Sequence, residues 1–200
     1  LQEQKKYSIL YSGIAGFLSI LIKPNFILVF IMVFPLFLIY KNRFTSYTFK
    51  AGAIVFLFVT VLVAQYVYNY NYISVHSLSK YYTNVKIAIS PFEAWHRISH
   101  NLFFSFFAWA LYPILFLVLY FKSVIRSLFY NYSLSFFTVA MIIFILFTEK
   151  DASGKDIAAV NFIWQVIVCH YIWFLTSMIK HMKIVIKRKS FVLKDYILSA

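Results

Sequence analysis

The chain has 200 residues, of which 62% are hydrophobic, 22% aromatic and 12% charged. A soluble domain carries roughly 25% charged and about 45–50% apolar residues, so this composition excludes an ordinary water-soluble globular fold. The formal net charge of +13 would suggest nucleic acid in a soluble chain. Here the basic residues lie mostly in short connections between long apolar runs, where membrane topology accounts for them and nucleic-acid binding does not.

A helix rises about 1.5 Å per residue, so about 20 apolar residues cross a hydrocarbon core of roughly 30 Å. Six apolar segments follow one another. The first, Tyr7–Ile22, contains Gly13 and Gly16, and only Lys23 and Pro24 separate it from the second, Pro24–Tyr40. Proline is tolerated in a first helical turn because its missing N–H is unpaired there in any case. Pro35, inside the second segment, predicts a kink. This pair is short, and a re-entrant hairpin is its alternative reading. The third segment, Ala51–Asn69, is nineteen residues without a formal charge. The others are Leu102–Phe121, with Pro113 inside it, Leu128–Phe147 and Ala158–Ile179.

The expected fold is therefore all-α: a polytopic integral membrane helix bundle with about six transmembrane helices plus a short interfacial helix. It forms a single membrane domain over residues 1–200, with an external loop at 70–101 and a cytoplasmic basic tail at 180–200. With the N-terminus inside, thirteen of the nineteen basic residues fall on the inner side. The positive-inside rule then places both termini in the cytoplasm. The single cysteine, Cys169, rules out an intrachain disulfide and a cysteine metal cluster. The chain begins at Leu1 without Met, which suggests a piece of a longer protein.

Three clusters carry candidate chemistry, all on the predicted outer side. Lys23-Pro24-Asn25 puts an ammonium beside the first N–H groups of a helix, which suits a phosphate. A lysine snorkelling to the surface explains the same pattern. Ser90-Pro91-Phe92-Glu93 has the form of a capping box opening a short helix. Phe92, Trp95, Ile98 and Leu102 line one side of that helix, and Glu93, His96, Arg97 and His100 the other. Arg97 is a candidate anion ligand, Glu93 reads as a cap, and the two histidines have no third partner to make a metal site. The third cluster joins Glu149 and Lys155 to Asn161 and Gln165, the last two one helical turn apart. They either line an external site or supply interhelical hydrogen bonds. His170 lies near the middle of the last segment, where an ionisable group suggests function.

An apolar helix with small residues, then Lys23-Pro24 and a second apolar helix, resembles the type-C glycosyltransferases, multi-pass enzymes that use lipid-linked sugar donors. Glu149, Gly154 and Lys155, followed by Asn161-Phe162-Ile163-Trp164-Gln165, resemble a pattern in bacterial cell-surface polysaccharide membrane proteins. Val160 and Lys155 stand where that pattern has glycine and arginine. The resemblance implies the C-terminal part of a glycosyltransferase-like or polymerase-like protein acting on polyprenyl-phosphate-linked sugars at the bacterial inner membrane. It implies no cofactor, and a catalytic acid that this chain does not supply. Lys23, Asn25, Arg97, Glu149, Lys155, Asn161 and Gln165 become the candidate substrate-binding residues. A non-catalytic membrane protein (a transporter, channel or structural subunit) is the alternative.

Overall fold

The computed structural model describes residues 25–68, 86–150 and 161–188, together with Ile14, Phe17, Val192, Asp195, Ile197 and Leu198. Its elements in chain order are α1 (Asn25–Asn42), α2 (Ser46–Val67), β1 (Lys86–Ile89), α3 (Glu93–Ile98), α4 (Leu102–Leu119), α5 (Phe121–Val124), α6 (Leu128–Leu146), β2 (Phe147–Lys150) and α7 (Asn161–Arg188). The architecture is a helix bundle with one two-stranded ribbon.

Among the described residues, four helices are long and apolar enough to cross a membrane: Ser46–Gln65, Leu102–Leu119, Leu128–Leu146 and Phe162–Arg188. This defines a multi-pass membrane protein. Of the six expected spans, four are seen among the described residues. The predicted second segment is α1, eighteen residues long with Pro35 inside it. The segment at Tyr7–Ile22 lies outside the described residues, apart from helical Ile14 and Phe17.

Local chemistry explains where the boundaries moved. Arg43 adopts a left-handed φ of 51° and its N–H returns to the Ile39 carbonyl at 2.9 Å, closing α1. Thr45 then caps α2, accepting from the Thr48 N–H at 3.4 Å, while the Thr48 hydroxyl donates to the Arg43 carbonyl at 2.6 Å. That cap starts α2 five residues before the predicted Ala51. α7 runs nine residues beyond the predicted Ile179, so residues 180–188 of the expected basic tail continue the helix. No proline or glycine interrupts that stretch, and His181 packs on Phe116 and Tyr120 of the α4 end.

α6 and α7 make the most extensive pairing, with α1 and α4 packed around them. Phe30 of α1 meets Phe136 of α6 at a ring separation of 6.2 Å, and Phe37 meets Tyr132 at 4.8 Å, so α1 and α6 run antiparallel. The buried core includes Val29, Ala110, Phe116, Tyr130, Phe137, Val166 and Trp173. A smaller cluster of Ile27 and Phe58 joins α1 to α2.

The bundle has two unlike ends. At one, the α1–α2 turn, α5, the start of α6 and the finish of α7 gather nine of the twelve described Lys and Arg residues: 41, 43, 50, 122, 126, 180, 183, 187 and 188. We call it the basic end. The opposite end holds the ribbon and α3.

Candidate binding site at the ribbon end

The ribbon pairs Lys86 with Lys150, Ile87 with Glu149, Ala88 with Thr148 and Ile89 with Phe147 in antiparallel register. It continues onto the end of α6, where the N–H groups of Ser90 and Phe92 donate to the carbonyls of Leu146 and Ile145 at 2.9 and 2.8 Å. The last carbonyls of a helix lack intrahelical donors, and here residues 90–92 supply them. The capping box expected at Ser90–Glu93 is consequently not formed. The Ser90 N–H that Glu93 should reach is already committed to α6, Phe92 takes a left-handed φ of 63°, and α3 begins at Glu93 without a side-chain cap.

Glu93 is instead the centre of an ionic cluster. Its Oε1 lies 3.6 Å from Arg97 Nη2, one turn along α3, and its Oε2 lies 3.3 Å from Lys150 Nζ on β2. A hydrogen bond from Ser90 holds the Glu93 carboxyl below its ordinary range. Burial opposes this, and the Lys150 and Arg97 charges reinforce it. One carboxylate thus organises two cations, and the cluster carries net positive charge.

The opposite side of α3 is apolar. Trp95 and Ile98 form one wall of a cavity of about 280 Å³, completed by Ser105 and Trp109 of α4, Met141 and Phe144 of α6, and Ile163 of α7. The Trp95 indole N–H donates to the Ser105 hydroxyl at 3.0 Å, fixing the lid helix to α4. An apolar cavity of roughly 150 Å³ accommodates benzene, so this one has room for a stretch of hydrocarbon chain.

Every predicted site residue that the structure describes falls at this end. Asn25 and Asn161 are the first residues of α1 and α7, and Gln165 lies one turn into α7. Glu149 is buried on β2, and Arg97 is on α3. Lys23 and Lys155 lie outside the described residues, and of Asn25 and Asn161 only the backbone is described. Gln165 is 1% exposed, and neither of its amide atoms has a hydrogen-bond partner among the described residues. Sequence reasoning missed the clustering role of Glu93, the contribution of Lys150, and the cavity. The signal available for Lys150 was its position next to Glu149.

A second polar cluster, also missed, closes the basic end. Asp195 is fully buried. Its Oδ1 accepts from the Tyr120 hydroxyl and lies 3.0 Å from His181 Nε2, while its Oδ2 accepts from Arg188 and from the Val192 N–H at 2.7 Å. Burial raises the Asp195 carboxyl, but the Tyr120, Val192 and His181 hydrogen bonds and the Arg188 charge outweigh it, leaving it at about 2. The one sequence signal was a lone acid in a tail otherwise rich in lysine.

No family model matches the chain, and neither does any curated protein or solved structure.

Proposed function

We propose that this membrane protein handles a polyprenyl-phosphate-linked sugar at its ribbon end, as part of a glycosyltransferase-like or polymerase-like protein of bacterial cell-surface polysaccharide synthesis. The basic end is cytoplasmic on this reading, since nine of the twelve described cationic residues cluster there. The observation that carries it is the two-sided α3. Its apolar side covers a cavity of about 280 Å³, and its polar side presents Arg97 and Lys150 around one carboxylate. Such a site suits an amphiphile with a hydrocarbon chain and an anionic head group. Arg97 would take phosphate oxygens, with the buried Glu149 and Gln165 nearer the sugar.

The test is photolabelling of the purified protein with a photoreactive polyprenyl phosphate. Saturable labelling of peptides containing Trp95 or Trp109 is expected. A charge-assisted hydrogen bond is worth about 1.5–3 kcal/mol, so R97Q with K150Q should weaken binding roughly tenfold or more. Non-saturable labelling, or the same affinity in the double variant, would remove the site. The alternative of a transporter or channel is favoured by one separate feature, the buried polar stripe of α7.

A further inference from the structure

α7 carries a polar or sulfur-bearing side chain at every fourth position of its inward face: Gln165, Cys169, Trp173, Ser177 and His181. The first four are 1%, 0%, 2% and 0% exposed, and the His181 side chain 12%. A step of four residues advances about 6 Å along a helix. That distance equals two hydrogen bonds of about 2.9 Å placed end to end, the span that one bridging water would cover. From Gln165 to His181 the stripe covers about 24 Å of a hydrocarbon core of roughly 30 Å.

A row of this spacing runs obliquely around a helix, and the neighbours of α7 change accordingly. Trp173 stacks on Phe137 of α6 at 4.8 Å, whereas His181 meets Phe116 and Tyr112 of α4. Several polar atoms on or beside the row lack a hydrogen-bond partner among the described residues. Both amide atoms of Gln165 lack a partner among the described residues. The Tyr130 hydroxyl lies beside Trp173 Nε1 and Ser177, yet neither it nor the indole N–H makes a well-formed hydrogen bond. His170, a position off the row, stacks on Trp109 of α4, and its Nε2 also lacks a partner among the described residues. Hydrocarbon offers such groups nothing, so a membrane bundle tolerates them only where another polar species reaches them.

At the basic end the row runs into a formed network. The His181 ring stands between the Tyr112 hydroxyl, 3.1 Å from Nδ1, and Asp195 Oδ1, 3.0 Å from Nε2. Arg188, bonded to the same carboxylate, is 31% exposed and brings that network to the surface.

We propose that this stripe is a hydrated path that conducts protons through the bundle, between Gln165 near the ribbon end and the His181–Asp195 pair at the basic end. Each hop forms one O–H or N–H bond as the next is broken. One proton therefore leaves the far side for each that arrives, and nothing is consumed. The Tyr130 hydroxyl, the two ring nitrogens of His181 and the Ser177 hydroxyl, which at rest donates to the Trp173 carbonyl at 2.8 Å, relay the proton. Gln165 and the Trp173 N–H hold the intervening waters. The path shares Gln165 with the lipid-linked substrate reading but does not rest on it, and proton flux is read independently of photolabelling.

Reconstitution of the full chain into liposomes loaded with a pH-sensitive dye tests it, with a potassium gradient and valinomycin setting the driving potential. Proton flux at least tenfold above protein-free vesicles is expected. Q165L and S177V should each cut that flux tenfold, while V168A, on an exposed position of the same helix, should leave it unchanged. Wild-type flux equal to that of protein-free vesicles overturns the proposal whatever the variants do. Flux retained in both Q165L and S177V overturns it as well, because the leak then runs elsewhere.

Discussion

Replacing Asp195 with Asn tests whether the tail is pinned to the bundle by a charged latch. The native carboxylate accepts from Tyr120, Arg188 and the Val192 N–H and pairs with His181, so both oxygens are occupied. Lowering its carboxyl from an ordinary 3.8 to about 2 corresponds to about 2 kcal/mol of preferential stabilisation of the charged form. Asn keeps one acceptor but turns an NH₂ group toward the remaining donors, so about 2–3 kcal/mol of stability should be lost at pH 7. A depressed carboxyl contributes fully above its unfolded value and loses its contribution as pH falls through the folded one. The difference between wild type and D195N should therefore be complete above about pH 5 and vanish near pH 2. Denaturant unfolding in detergent at several pH values measures this. A D195N protein within about 0.5 kcal/mol of wild type at pH 7, or a difference independent of pH, would refute the latch.

Four further outcomes are expected. E93Q removes the charge that holds Arg97 and Lys150, so hydrogen exchange at residues 93–98 should rise severalfold. Protection of the same amides, taken relative to the intrinsic exchange rate, should fall in wild type as pH falls through the lowered Glu93 carboxyl, the reverse of a group whose value is raised. S105A deletes the acceptor of the Trp95 indole and should cost about 1 kcal/mol, with a shift in Trp95 emission. In G52A the added methyl meets nothing within 4 Å, so the gain in helix propensity should raise stability by about 0.5–1 kcal/mol in thermal unfolding. Single cysteines at Ser99 and Ser123, at the ribbon and basic ends, should label from opposite sides of the membrane. The buried Cys169 leaves a silent background. Labelling of both from one side would dismantle the proposed orientation.

The location of the candidate site was legible in the chain because it depends on hydropathy and helix spacing. Arg97, Glu149 and Gln165 were placed at one end before any packing was known, since a segment long enough to span lipid fixes where its two ends must lie. Glu93 was misread as a cap. Short-range pattern alone does not reveal that the Ser90 N–H is taken by the end of α6, nearly sixty residues on. Asp195 was passed over because a lone acid in a basic tail acquires meaning only when Tyr120 and His181 converge on it.

Composition and apolar run length settled, without any coordinates, that this is a helical multi-pass membrane protein. Lipid imposes one dominant constraint, backbone hydrogen bonds satisfied within each span, and that constraint is local. Tertiary structure alone decided which polar groups meet: the ribbon that brings Lys150 to Glu93, the cavity beneath Trp95, and the latch on Asp195. Each joins side chains distant in sequence, and their partners are chosen by how the helices pack against one another, a choice that no single segment contains.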